Sequence, residues 1–179
     1  MIKKLVILFC VSFLFPKNLT LHDYDNPSAS HILDADVIDD ILIVSGFVGG
    51  IEFYDISNPQ ILNHLGNITL SSGGGGGGGG GFGGAKPSCV KAIENYAYVT
   101  SSGGVYVLNI ANPSNPQNLG NISGTNNYNL ENLDVRNNIL AVAAHEDGVL
   151  IYNVSSLSNP QYLDTFNANN AWTVHLTDD

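Results

Sequence analysis

The densest group of side chains that could do chemistry is the run HEDG, which contains His145, Glu146 and Asp147. An imidazole nitrogen beside two carboxylates can contribute to a divalent-metal site, and the same groups can act as acid and base. These three residues are the candidate metal ligands of the chain. The competing interpretation is a polar hairpin turn, because Asp147-Gly148 is a typical pair for a tight turn between two strands.

A second group of carboxylates lies in the run DADVIDD, from Asp34 to Asp40. If this run is a strand, Asp34 and Asp36 face one way, while Asp39 and Asp40 fall in the turn that follows. The spacing differs from that of a calcium-binding loop, which needs oxygen ligands at alternate positions and then a glycine. We therefore expect a solvated turn with no cofactor, and a calcium site is the alternative.

Nucleophilic catalysis has no positive support in the sequence. The five histidines are scattered without paired spacing, and no G-x-S-x-G turn is present. Cys10 and Cys89 are the two cysteines, which is too few for a disulfide framework or a zinc cluster. Cys89 lies in the apolar-flanked run SCVKAI, and we expect it to be a small buried residue. We therefore favour a non-catalytic protein and keep an enzyme as the open alternative.

The net charge and the N-terminus indicate a compartment and exclude one class of partner. The net charge is −10, and so acidic a surface repels the phosphate backbone of nucleic acids. Lys3 and Lys4 precede an apolar run from Leu5 to Phe15, which is shorter than the roughly 20 residues of a membrane-spanning helix. This pattern is typical of a secretory signal peptide. We expect residues 1–20 to be the signal and the protein to be periplasmic, extracellular or attached to the cell surface.

Three segments of the chain resemble one another and must position any such side chains. They are GGIEFYDISNP from Gly49, GGVYVLNIANPSNP from Gly103 and DGVLIYNVSSLSNP from Asp147. Each follows an apolar run across a glycine-containing turn, which predicts a β-hairpin. Another short apolar run lies before each hairpin, and one more lies after it. Each unit therefore contains four short predicted strands.

The spacing of the units indicates their architecture. Gly104 and Gly148 are 44 residues apart, whereas Gly50 and Gly104 are 54 residues apart. If the 14 residues 71–84, which include nine consecutive glycines, are an inserted loop, the longer spacing becomes 40. Four strands in about 40 to 45 residues is the period of a β-propeller blade. A β-sandwich would not repeat at a fixed period, and a parallel β-helix usually repeats at a shorter one.

We therefore predict an all-β chain, a β-propeller of four-stranded antiparallel blades. It forms an incomplete arc of about three blades plus the first strand of a fourth. Because about four to eight blades are needed to close a propeller, we expect a fragment whose missing C-terminal blades follow Asp179. The predicted boundaries are a signal peptide at 1–20, an N-terminal segment and blade 1 at 21–70, a polyglycine loop at 71–84, blade 2 at 85–127, blade 3 at 128–170 and the start of blade 4 at 171–179.

The strand after each glycine turn is expected to be buried on both faces. In IEFYDI, Ile51 and Phe53 share one face, and Tyr54 and Ile56 share the other. Both sets are apolar, as a blade packed between two neighbours requires.

The same residues resemble the LVIVD-repeat family of β-propellers. The resemblance lies in the strands IEFYD, VYVLN and VLIYN and in the following DISNP, and it covers the chain from about Ile32 onward outside the polyglycine loop. It implies a secreted or surface-attached protein, and it carries over no catalytic residue. The aspartate of the family pattern is Asp55 here but asparagine at Asn109 and Asn153, which keeps the oxygen that caps a turn and loses the charge.

These repeated positions are interpreted as structural turn positions rather than as reacting groups. They comprise the polar residue that ends the strand, the glycine of the hairpin and the proline of the following turn. The positions are Asp55, Asn109, Asn153, Gly50, Gly104, Gly148, Pro59, Pro116 and Pro160.

The function predicted from the sequence is that of a secreted or cell-surface, non-catalytic propeller that binds a protein or a glycan as an adhesion scaffold. The alternative is a metal-dependent hydrolase or lactonase with its site on one face of the full propeller.

Overall fold

A computed structural model describes residues 32–46, 50–58, 60–70 and 87–178. Several sequence predictions fall on other residues and lie outside the described part of the chain. They are the signal peptide at 1–20 with Cys10, the polyglycine loop at 71–84, and the turn position Pro59.

The described residues form twelve β-strands in three antiparallel sheets of four strands each. Within every sheet the strands pair in chain order, so each sheet is a simple meander. The helical content there is one 3₁₀ turn, Thr125–Asn127, and no helix in this part of the chain is long and apolar enough to span a membrane. The strands are β1 Ile32–Ile38, β2 Ile41–Gly46, β3 Gly50–Asp55, β4 Asn63–Ile68, β5 Pro87–Ile93, β6 Tyr96–Ser101, β7 Gly104–Asn109, β8 Gln117–Asn121, β9 Asn132–Arg136, β10 Ile139–Ala143, β11 Val149–Asn153 and β12 Gln161–Phe166.

Blade 1 comprises β1–β4, blade 2 comprises β5–β8 and blade 3 comprises β9–β12. We call β1, β5 and β9 the inner strands, because each starts a blade and pairs with only one strand of its own sheet. This arrangement confirms the prediction of four-stranded antiparallel blades.

Tight polar turns join each inner strand to the next strand. Ile38 pairs with Ile41, and the intervening Asp39 has a backbone φ of 51°. In blade 3 the turn residues Asn137 and Asn138 both have positive φ, at 48° and 63°. Asp and Asn tolerate this left-handed region better than other side chains, which is why such pairs suit two-residue hairpins.

The middle strands are buried on both faces, as the alternation in IEFYDI predicts. Ile51 and Phe53 join an apolar cluster that includes Val99 of blade 2. Tyr54 and Ile56 join a separate cluster on the opposite face of blade 1. Complete burial of a large apolar side chain stabilises a fold by about 1.5–3 kcal/mol. The first cluster therefore joins blade 1 to blade 2, and the second lies within blade 1.

A third apolar cluster lies between blades 2 and 3. It contains Tyr98 and Val107 from blade 2 together with Leu133, Leu140 and Tyr152 from blade 3. The Tyr98 hydroxyl donates a hydrogen bond to the Leu157 carbonyl at 2.9 Å, so its polar end is satisfied. Blade 2 is thus packed between two neighbours, which is the layering of a propeller.

Gly148, at the start of β11, is expected to be intolerant of substitution. Its φ is +84°, and an added Cβ would lie 2.3 Å from the Phe166 carbonyl oxygen. Gly120 has a similar φ of +107°, but nothing lies within 4 Å of its added Cβ. We expect Gly148→Ala to lower the free energy of unfolding by roughly 2–4 kcal/mol, since strain and clash combine, and Gly120→Ala by about 1 kcal/mol from strain alone. Urea unfolding of both variants measures the difference, and equal losses would contradict the argument.

Candidate functional site

The inner strands bring the ionisable residues of successive blades together. Asp36, Lys91 and Asp134 occupy one repeated position, two residues before the last residue of β1, β5 and β9. The segment 171–178 follows blade 3, and its His175 takes the corresponding place beside β9. The row therefore alternates between acidic and basic side chains from one blade to the next.

Carboxylates of β1 accept hydrogen bonds from the backbone of β5. The N–H of Val90 donates to Asp34 Oδ2 at 3.0 Å, and the N–H of Ala92 donates to Asp36 Oδ2 at 2.7 Å. These N–H groups lie on the free edge of β5, where no strand of its own sheet supplies an acceptor. An unpaired buried N–H is costly, so the aspartates satisfy the edge of the neighbouring blade.

The same arrangement recurs between blade 3 and the segment 171–178. The N–H of Val174 donates to Asn132 Oδ1 at 3.2 Å, and the N–H of Leu176 donates to Asp134 Oδ2 at 2.8 Å. The acceptors Asn132 and Asp134 are two residues apart, as Asp34 and Asp36 are. The donors Val174 and Leu176 are also two residues apart, as Val90 and Ala92 are. The predicted start of blade 4 therefore lies against β9 as β5 lies against β1.

Contacts between basic side chains and carboxylates accompany these hydrogen bonds. Lys91 Nζ lies 3.5 Å from Asp36 Oδ1, and His175 Nδ1 lies 3.0 Å from Asp134 Oδ2. Each basic side chain thus meets the carboxylate of the preceding inner strand, which already accepts a backbone N–H. Each carboxylate is engaged by at least two partners, and Asp134 also accepts from the Val135 N–H at 2.9 Å.

Burial and charge act in opposite directions on the Asp36–Lys91 pair. Burial raises the pKa of the Asp36 carboxyl, although the Ala92 N–H and the Lys91 ammonium oppose it. Burial also works against the charged form of Lys91, but the carboxylates of Asp36 and Asp34 outweigh it and raise the pKa of Lys91. The geometry of the pair at 3.5 Å agrees with the charged lysine that its raised pKa implies.

Cys89 is a buried thiol at the junction of blades 2 and 3. It is 2% exposed, and its Sγ contacts the Leu133 carbonyl at 3.8 Å and accepts from Asn132 Nδ2 at 3.3 Å. Burial, assisted by the Asp34 carboxylate, raises the pKa of the thiol. Because the thiolate is the reactive form, this cysteine is a structural residue, as the sequence predicts.

The interpretation of DADVIDD as a solvated turn is wrong for its first two carboxylates. Asp34 and Asp36 do share one face of a strand, but that face meets blade 2. The exposed turn contains only Asp39 and Asp40. The sequence did contain an indication of this role. In NLDVR of β9, Asn132 and Asp134 are also two positions apart, and they lie at the same distance from the following turn as Asp34 and Asp36.

A buried carboxylate in β3 also escaped the sequence analysis. Glu52 is 1% exposed and accepts a hydrogen bond of 2.5 Å from the Tyr54 hydroxyl. Both lie on a strand whose faces were expected to be apolar, and no local pattern distinguishes Glu52 from an exposed acid.

The candidate metal ligands lie in the turn between β10 and β11. Glu146 and Asp147 are exposed, and the ring of His145 contacts Trp172 edge-to-face at a centroid distance of 4.6 Å. No group of three or more His, Cys, Asp and Glu side chains in the described residues is placed to hold a metal ion. The alternative, a two-residue Asp-Gly turn, is wrong in detail: the Ala144 N–H pairs with the Gly148 carbonyl and leaves three residues in the loop.

At three of the predicted turn positions, one in each blade, the same side-chain hydrogen bond forms. A side-chain Oδ1 at the end of the third strand of each blade accepts from the N–H two residues later: Asp55 from Ser57 at 2.8 Å, Asn109 from Ala111 at 3.0 Å and Asn153 from Ser155 at 2.8 Å.

Asp and Asn are equivalent in this hydrogen bond, because each supplies a side-chain oxygen as the acceptor. The Ser57 hydroxyl and N–H lower the pKa of the Asp55 carboxyl. The hairpin glycines Gly50, Gly104 and Gly148 all have positive φ. Pro116 and Pro160 directly precede the outer strands β8 and β12.

Removal of the Asp36 carboxylate is expected to destabilise the junction of blades 1 and 2. Asp36→Ala leaves the Ala92 N–H without its acceptor and should cost about 2 kcal/mol, whereas Asp36→Asn keeps an oxygen and should cost less than about 1 kcal/mol. The exposed Asp40→Ala is the matched control and should cause no measurable loss. Urea unfolding tests the series, and a loss for Asp36→Ala no larger than that of the control would contradict the proposed role.

Stability is expected to fall on the alkaline side, beginning with Cys89. A pKa raised on folding gives stability that is complete below the unfolded value and is lost as pH rises. The unfolded value is 9.0 for Cys89 and 10.0 for Tyr98, whose pKa burial also raises. Between pH 9 and 10 the free energy of unfolding should fall with a slope that approaches about 1.4 kcal/mol per pH unit. Cys89→Ala should flatten this part of the curve measured by urea unfolding, and an unchanged slope would refute the assignment.

Comparison with known proteins agrees with this geometry. Residues 85–123, which contain all four strands of blade 2, match the LVIVD repeat family. A search of curated proteins gives no match to the chain.

Two solved structures of computationally designed proteins resemble the chain. Ika4 aligns with a TM-score of 0.62 and 14% identity over 90% of this chain and 88% of its own. Ika8 aligns with a TM-score of 0.59 and 15% identity over 83% of this chain, which spans only 40% of the Ika8 length. At such identities the likeness shows the fold alone. The described part of the chain is therefore a β-propeller arc of three four-stranded blades, and its second blade matches the LVIVD repeat model.

Proposed function

We propose that this protein is a non-catalytic β-propeller scaffold that is exported from the cell or held at its surface and binds a protein or a glycan. The fold and the LVIVD repeat support a repeat protein with a large, rigid surface. The signal-like N-terminus and the net charge of −10 support the extracellular compartment. Proteins of this kind bind through surface grooves and loops that the blades hold in place.

One observation carries the non-catalytic part of the proposal. A propeller enzyme would draw its reacting groups from several inner strands at the centre of one face. Here the inner-strand carboxylates Asp34 and Asp36 each accept a backbone N–H from β5, and Asp134 accepts one from the segment 171–178. Their position and partners fit a role in holding blades together.

The metal-dependent hydrolase or lactonase lacks a comparable observation in its favour. Its candidate ligands His145, Glu146 and Asp147 lie in a single hairpin turn, and the His145 ring packs against Trp172. The equivalent turn of blade 2, at Ser102 and Gly103, offers no ligand to complete a shared site.

Metal titration distinguishes the scaffold from the hydrolase. We expect millimolar Ca²⁺, Zn²⁺ or Mn²⁺, and EDTA, to move the melting temperature by less than about 1 °C, because a ligand stabilises only the state that binds it. The matched variant His145→Ala/Asp147→Ala should behave identically. Saturable stabilisation by a metal that the double variant abolishes would favour the hydrolase and contradict the scaffold.

Binding and turnover are measured on the same preparation. The immobilised full chain is presented with panels of extracellular proteins and of glycans, and ester, lactone and glycoside substrates are assayed in parallel. The scaffold predicts saturable binding from at least one panel without turnover. Chelator-sensitive turnover, or no saturable ligand in either panel, would overturn it.

A further inference from the structure

A groove opens on the outer side of the junction between blades 2 and 3. Its volume is about 390 Å³, within the range of roughly 300–1,000 Å³ that is typical of small-ligand sites. Val107, Ile122 and Tyr152, which belong to the apolar cluster between the two blades, line it together with polar residues of β8 and of the turn before β12. The groove therefore combines an apolar floor with a polar rim.

The lining of this groove carries no Asp, Glu, Lys, Arg or His among the described residues. The polar lining is made of amides and hydroxyls, including Asn121, Asn159 and Gln161. Burial raises the pKa of Tyr152 to about 12, so its phenol also stays neutral at physiological pH. A ligand that suits these walls is neutral and rich in groups that both donate and accept hydrogen bonds.

Two tyrosines form an aromatic wall of the groove. The rings of Tyr152 and Tyr162 meet edge-to-face with centroids 5.7 Å apart. Tyr162 is 57% exposed, and its hydroxyl lies 2.9 Å from Thr165 Oγ1, which holds the ring in place. An exposed, fixed aromatic face beside amides offers both an apolar platform and hydrogen-bond partners. The C–H face and the hydroxyl edge of a pyranose ring match this pair of surfaces.

The junction between blades 1 and 2 provides an internal comparison. The run LGNI occurs in both outer strands and places Gly66 and Gly120 at equivalent positions. An added Cβ on Gly66 would lie 2.9 Å from the Pro113 carbonyl oxygen of blade 2. An added Cβ on Gly120 would have nothing within 4 Å. The first junction is closed at this position, and the second is open.

The backbone at Gly120 differs from that at Gly66. Asn118 Oδ1 accepts from the Gly120 N–H at 2.8 Å, and Gly120 has a φ of +107°, whereas Gly66 has no positive φ. An irregularity in the pairing of the third and fourth strands is common to all three blades.

The aromatic wall coincides with the open junction. The repeat places Leu108 and Asn118 in blade 2 where blade 3 has Tyr152 and Tyr162. The closed junction thus lacks the tyrosine pair, and the open junction has it. A packing defect alone would not require exposed aromatic side chains at the same place.

We propose that the groove between blades 2 and 3 binds a neutral saccharide unit of a glycan, with Tyr162 as the stacking platform and Asn121, Asn159 and Gln161 as hydrogen-bonding partners. This inference rests on the proposed binding function and gives it a ligand class and a site.

Saturation-transfer NMR and calorimetry on the full chain from a bacterial host test the proposal. The probes are chitotriose, mannotriose, cellotetraose and lactose at millimolar concentration, with 3′-sialyllactose and a neutral glycine-serine peptide as comparators. We expect a neutral saccharide to bind, and Tyr162→Ala to weaken its association at least about tenfold. Ser158→Trp, which places a large ring at the groove rim, should have the same effect.

His64→Ala is the matched control, because His64 holds the position of Tyr162 in blade 1 and is also exposed. It should leave the association constant within about twofold, and equal melting temperatures show that the variants are folded.

The outcomes separate this inference from the function on which it rests. Saccharide binding that Tyr162→Ala and Ser158→Trp leave unchanged overturns the groove assignment and leaves the scaffold intact. Preference for the sialylated sugar or the peptide overturns the neutral saccharide, again without removing the scaffold. No binding of any neutral saccharide overturns the inference, and only the added failure of the protein and glycan panels removes the scaffold as well.

Discussion

Neighbouring blades meet at their inner strands, where the free backbone edge of one strand faces the side chains of the one before it. A free edge inside a protein cannot leave its N–H groups unpaired. Asp34 and Asp36 supply acceptors for β5, and Asn132 and Asp134 supply acceptors for the segment 171–178. These side-chain bonds fix the spacing and register of blade 2 against blade 1 and of the segment 171–178 against blade 3. At the junction of blades 2 and 3, Cys89 occupies the equivalent position and contacts Leu133 and Asn132 instead.

Apolar packing completes what the edge hydrogen bonds begin. The middle strands carry mostly apolar side chains on both faces, with Glu52 of β3 as a buried exception, so a blade is stable only between layers. The cores on the two faces of blade 2 are separate clusters. The hydrogen bonds near the inner strands set where the layers meet, and the clusters fill the space farther out. Because the clusters are separate, a difference such as Leu108 in blade 2 and Tyr152 in blade 3 alters one junction without disturbing the next. The closed junction of blades 1 and 2 and the open junction of blades 2 and 3 are an example.

The inner strands also explain why a row of acidic and basic residues need not be a catalytic centre. Lys91 and His175 contact carboxylates that already accept backbone bonds, so charge and hydrogen bonding stabilise the same contact. Differences between repeats also occur on the outer side, at Gly120, whose added Cβ would face open space, and at the exposed Tyr162. In a repeat protein the conserved geometry holds the blades, and departures from the repeat are where individual binding sites arise.

The sequence by itself determined the local structure of this protein. Strand alternation, hairpin turns and the Asp or Asn that caps the turn after the third strand depend on residues a few positions apart, and Asp55, Asn109 and Asn153 make the same contact in each blade. Only the tertiary structure decided what Asp34 and Asp36 bind, because their partners are 56 residues away along the chain. It also decided which of two equivalent glycines faces a neighbouring blade and which faces open space. Both outcomes depend on how one layer sits against the next, and a pattern within a single repeat does not encode that distance.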